Sequence, residues 1–130
     1  MVYPAPVYSY STGGSPQYIP VSETTSDTNE PYLVYINYIL GQSVLPQVIS
    51  NSYGDDEQTV PISYAQRVCQ SFAQLGARGT ALLVSSGDGG LGDEDPGACI
   101  TNDGKNSSTF LPEILASCPY VTTVGATEQF

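Results

Sequence analysis

The residue best placed by its neighbours to do chemistry is Asp88, in the stretch Ala81-Leu82-Leu83-Val84-Ser85-Ser86-Gly87-Asp88-Gly89-Gly90. A short apolar run ends there in small residues and then in an acid clamped between glycines. This is the pattern of a buried parallel strand delivering a carboxylate to a loop at its carboxyl end. Ligands collect at such ends, and glycines let backbone and ligand approach closely. The same residues also make an ordinary strand-to-loop turn, where Asp and Gly are common, so the flanking sequence must decide. Other candidate chemistry is sparse. The acids Asp55-Asp56-Glu57 follow a small-residue turn and read as a solvated loop, and Asn106-Ser107-Ser108 is an N-glycosylation acceptor in a polar stretch. Cys69, Cys99 and Cys118 leave an odd thiol whichever two pair, which suggests a missing partner. With no histidine and no Cys-x-x-Cys, nothing supports a metal site in this chain.

The elements that must position Asp88 are drawn from 130 residues, one domain at most. Thirteen acids against three basic residues give a net charge of −10, which repels phosphate backbones and anionic lipid head groups and argues against nucleic acid and membrane partners. Charged residues make up only 12%, while Ser, Thr, Gly, Pro, Asn and Tyr are abundant, a balance that suits a secreted or acid-compartment protein. No stretch approaches the ~20 apolar residues of a membrane helix. The amino end, Met1-Val2-Tyr3-Pro4-Ala5-Pro6, lacks the basic segment and apolar core of a signal peptide, which leaves the chain either intracellular or without its true beginning.

Residues 1–29, with four prolines and a Gly13-Gly14 pair, read as extended segments and turns that Tyr8, Tyr10 and Tyr18 pack onto a larger body. A helix is expected over 30–41, capped by Thr28 or Asn29. It opens with Glu30-Pro31, presents Leu33, Ile36, Ile39 and Leu40 on one face and stops at Gly41. A strand over 47–54 is followed by a helix over 63–78. The stripe of that helix is Ala65, Val68, Phe72 and Leu75, and Gly76 and Gly79 end it. The strand over 80–86, a long polar loop over 88–118 and a last strand over 120–125 complete a strand-helix-strand core spanning 47–125. The fold class is α/β with a parallel sheet, its crossover right-handed by the general rule.

Four blocks in order then carry a resemblance. They are Val48-Ile49-Ser50-Asn51-Ser52-Tyr53-Gly54-Asp55-Asp56-Glu57-Gln58, Arg67-Val68-Cys69 through Gly76-Ala77-Arg78-Gly79, Ser85-Ser86-Gly87-Asp88-Gly89-Gly90, and Ser117-Cys118-Pro119-Tyr120-Val121-Thr122-Thr123-Val124-Gly125. With Tyr10-Ser11-Thr12-Gly13-Gly14-Ser15-Pro16 near the start, the chain resembles the middle of a sedolisin-type serine-carboxyl peptidase, most of all the fungal tripeptidyl-peptidases. The resemblance implies a subtilisin-like parallel sheet flanked by helices, here incomplete, and peptide-bond hydrolysis by a serine, a glutamate base and an orienting aspartate. A carboxylate serves as base only near its own pKa, so such activity belongs to acid conditions, in an extracellular or acid vacuolar or lysosomal setting. By resemblance Glu30 falls on the base, although an acid favoured by the helix dipole explains it equally. Asp88 falls on the oxyanion aspartate, which donates a hydrogen bond when protonated. Ser52, Tyr53 and Gly54 fall on the backbone segment along which substrate lies.

The departures from the family pattern are specific. Val34 stands at i+4 from Glu30, where the family orients its base with an aspartate, and valine accepts no hydrogen bond. The family's Gly-Thr-Ser nucleophile motif and its calcium site lie beyond the last residue here, so the chain holds no cofactor of its own. Ala126 replaces a usual glycine, and Glu113-Ile114-Leu115-Ala116 replaces a Phe-Pro-containing segment. Three readings stay open: the central part of an acid tripeptidyl-peptidase acting on peptides, a non-catalytic peptide-binding relic, and a truncated chain of low stability with an exposed sheet edge.

Overall fold

In a computed structural model, residues 4, 6–21, 25–89 and 99–127 are described. Gly90 and residues 91–98 of the long polar loop lie outside them. The chain forms a small α/β domain in the order α1 (Tyr32–Leu40), β1 (Val48–Asn51), a 3-10 turn (Glu57–Thr59), α2 (Ile62–Ala77), β2 (Ala81–Ser85) and β3 (Thr122–Val124). The strands lie in the order β1-β2-β3, all parallel, with Val48 beside Ala81 and Leu83 beside Thr122.

The expected second helix is present, one residue earlier at its start. Its stripe buries Val68, Phe72 and Leu75 toward the sheet, with Ala65 partly buried. Gly76 does not end it, because the helix runs through Ala77. The stop comes at Gly79, whose φ of +90° is reached cheaply only without a side chain. There the Gly79 amide donates to the Gly76 carbonyl and the Thr80 amide to the Leu75 carbonyl, the paired bonds of a left-handed helix end.

The first helix differs more. It begins at Tyr32, with Pro31 rather than Thr28 or Asn29 at the cap position and no acid in its first turn. The two expected caps are engaged elsewhere. Thr28 Oγ1 donates to Asp55 at 2.5 Å, and Asn29 Nδ2 donates to Thr59 Oγ1 at 2.9 Å. Ile36 and Ile39 are fully buried, while Leu33 and Leu40 only flank the core. The helix packs on α2, not on the sheet face left free by α2. Its carboxyl end is held by Arg78, whose guanidinium donates to the carbonyls of Leu40 and Gln42 at 2.5 and 2.8 Å, satisfying groups the helix leaves unpaired.

Among the described residues before α1 no regular element is present, and they touch the body at separated points. Ile19 N–H donates to the Thr59 carbonyl at 2.7 Å, and Val21 is buried. The Tyr10 ring lies 6.4 Å from that of Tyr35 and 6.2 Å from that of Tyr38, whereas Tyr8 is exposed. Cys69 on α2 pairs with Cys118 ahead of β3, and Cys99 is the free thiol.

Candidate functional site

Parallel pairing brings the carboxyl ends of β1 and β2 side by side, since Asn51 is level with Val84. The segment Ser52-Tyr53-Gly54 therefore leaves the sheet next to Ser86-Gly87-Asp88. Two of the three expected groups are brought to one place by the sheet itself. Ser52 and Asp88 are exposed there, with Gly54 partly buried. Tyr53 is fixed at both ends. Its hydroxyl donates to the Thr28 carbonyl at 2.6 Å, and its carbonyl accepts from Asn51 Nδ2 at 2.8 Å. Desolvation pushes the Tyr53 hydroxyl above its usual range, and the charges of Asp55 and Glu30 push the same way, against the bond to Thr28.

Glu30 is near enough to Tyr53 for its charge to act on that hydroxyl. It stands ahead of α1, not in it, with its carbonyl accepting from Tyr32 N–H. Glu30 lies just before the helix cap, where an acid still meets the favourable end of the helix dipole, but it stands outside the helical backbone that would put it on one face with Val34. Val34 is 57% exposed on the first turn, its amide bonded to the Pro31 carbonyl.

The expectation of a solvated acidic loop at 55–57 is overturned. Asp55 and Asp56 keep only 7% and 2% of their surface. Buried carboxylates need donors. Asp55 accepts from Thr28 Oγ1 and from the Asp56 amide at 2.8 Å. The Asp56 carbonyl accepts from both the amide and the hydroxyl of Thr59. Together they form a polar knot that ties the segment before α1 to the 3-10 turn, with Asn29 on its other side.

A residue without an expected role completes the site. The backbone of 112–114 runs antiparallel to 55–57: Glu57 N–H donates to the Pro112 carbonyl and Ile114 N–H to the Asp55 carbonyl, both near 2.9 Å, with Asp56 bridged to Glu113. Ile114 and Leu115 are buried behind it, Leu115 with a φ of +74°. This brings the Glu113 carboxylate between the two strand ends. A β-carbon on Gly87 or on Gly54 would overlap it. The signals in the sequence were a lone acid within Phe110-Leu111-Pro112-Glu113-Ile114-Leu115-Ala116 and the two glycines, and their proximity depends on a pairing that no local pattern announces.

Asn106 is set apart on an exposed hairpin in which Ile100 pairs with Ser108, its φ of +51° in the left-handed region that asparagine tolerates. An apolar hollow of about 200 Å³ beside the disulfide, lined by Ile62, Ala65, Cys69, Leu115 and Cys118, is separate from the strand ends. Among the described residues no group of three or more His, Cys, Asp or Glu side chains is placed to hold a metal ion. Nor is any described helix long and apolar enough to cross a membrane.

No family model matches the chain. Curated relatives do. Tripeptidyl-peptidase sed4 of Aspergillus fumigatus is 50% identical over 98% of this chain. Tripeptidyl-peptidase SED2 of Arthroderma otae is 47% identical over 95%, and the probable tripeptidyl-peptidase SED3 of Arthroderma benhamiae 46% over 91%. The chain spans 22%, 21% and 20% of the lengths of these three relatives. Over nearly its whole length, then, the chain is similar to about a fifth of each of these fungal tripeptidyl-peptidases.

Proposed function

We propose that the chain forms the substrate-binding and oxyanion side of a peptide cleft in a subtilisin-like serine-carboxyl peptidase domain. The observation that carries this reading is the placement of Ser52-Tyr53-Gly54 and Gly87-Asp88 on neighbouring parallel strand ends. A peptide extended along Ser52–Gly54 brings a carbonyl toward Asp88. In its protonated form Asp88 donates a hydrogen bond to the oxygen that becomes negative in the tetrahedral intermediate. That role needs acid, which suits a secreted or acid-compartment enzyme of the family.

The chain by itself binds peptides without cleaving them. None of its serines stands in a nucleophile motif, and without a nucleophile only binding and oxyanion stabilisation remain. Glu30 enters as an acid beside Tyr53 that Val34 cannot orient. Purified chain is incubated at pH 3 to 7 with a tripeptide anilide, while amide NMR shifts of Gly54, Gly87 and Asp88 are followed. Shifts at these amides without release of the anilide are expected. Turnover that disappears with Asp88→Asn would refute the non-catalytic reading, and unmoved amides at saturating peptide would refute the cleft.

A further inference from the structure

We propose that Glu113 makes the gap between Gly54 and Gly87 a subsite for a cationic peptide side chain, lysine or arginine. The assignment rests on the peptide-cleft reading of the same strand ends. A residue whose carbonyl faces Asp88 while its backbone follows Ser52–Gly54 turns its side chain between the two strand ends, into the gap that Glu113 borders. The absence of a β-carbon at both glycines is what lets the carboxylate stand there, since either β-carbon would overlap it. Its position is set by the backbone, not by a mobile side chain alone. The pairing of 112–114 with 55–57, the Ser117 amide donating to the Glu113 carbonyl at 3.1 Å and the buried Ile114 fix where it starts.

Partial burial strengthens the attraction, because a half-desolvated carboxylate meets a cation with less screening than one in water. Guanidinium suits the geometry best, with planar donors that reach a carboxylate in pairs. The general field of a chain with net charge −10 also attracts cations. A specific subsite must therefore be separated from that field.

The test compares acetyl-Ala-Ala-Arg-amide with its neutral isostere acetyl-Ala-Ala-citrulline-amide, both titrated into the purified chain at pH 6 and read by the Gly54 and Gly87 amide shifts. The arginine peptide is expected to bind about tenfold more tightly, as for one charge-assisted pair. The ratio is expected to fall to about one in Glu113→Gln, or in Glu113→Thr if the first variant does not fold, and to persist in Asp103→Asn. Equal affinities in the wild type, or a ratio that Glu113→Gln leaves intact, overturn the subsite while keeping the cleft. Failure of both peptides to bind removes the cleft itself and the subsite with it.

Discussion

On one face of the sheet Ile49, Leu82 and Val84 lie under α2 and are buried; on the other, Val48 and Val124 keep 56% and 54% of their surface, with Ser50 and Ala81 also exposed. The same three strands build both faces, because side chains alternate along each strand and parallel partners share a side. An all-parallel sheet is ordinarily covered on both faces. Here α1 adds a second layer on α2 and not a first layer on the bare face. The difference separates two jobs. The covered face holds the core of the chain, while the bare face is small and partly polar, with Leu83 half-buried on it.

The contrast can be broken most directly at Phe72, which is 1% exposed in the middle of the covered layer. Phe72→Ala is expected to cost about 3 to 5 kcal/mol in urea unfolding, a large share of the ~5–15 kcal/mol of a small domain. A loss under about 1 kcal/mol would mean that the covered layer is not the cooperative core. A smaller effect is expected from pH. Tyr32 is buried on the α1 side of the same core, and burial raises its hydroxyl well above the usual range, helped by Tyr53 and Glu30. The folded chain then keeps that proton where the unfolded chain loses it. Tyr32 therefore contributes its full stability below about pH 10, and this falls away as the pH rises further. Melting temperatures at pH 9 and 11 are expected to drop for the wild type and to drop less for Tyr32→Phe, with Tyr35, Tyr53 and Tyr64 supplying the rest. An equal drop in the variant would remove Tyr32 from the account. The smallest effect belongs to the bare face: Val48→Ser and Val124→Ser are expected to change stability by no more than about 0.5 kcal/mol. A cost comparable to that of Phe72→Ala would show that this face is covered in solution.

The regular elements were largely legible because each advertises its own period. The stripe Val68, Phe72, Leu75 and the apolar run Leu82–Val84 located α2 and β2 within a residue or two. The start of α1 was misplaced by two residues. Thr28 and Asn29 have the chemistry of caps, but their side chains bond to Asp55 and Thr59, far along the chain. The acids at 55 and 56 failed for the same reason in reverse, since an Asp pair beside glycine reads as solvated until its distant donors are known. At the site, Ser52–Gly54 and Asp88 could be read from strand ends, whereas the place of Glu113 needed a pairing across the sheet.

The disulfide joins residues 49 apart in sequence, yet Cys118 stands just ahead of the strand that must find β2. Pairing of distant strands is slow because the closing chain segment must be searched for before any contact rewards it. With Cys69 already on α2, and α2 leading directly into β2, the bond reduces the search for β3 from the whole intervening loop to the few residues after Cys118. Its value is thus also one of time: an oxidised chain sets its last strand in place almost locally, whereas a reduced one must close the whole span from β2 to β3 before the edge of β2 is paired.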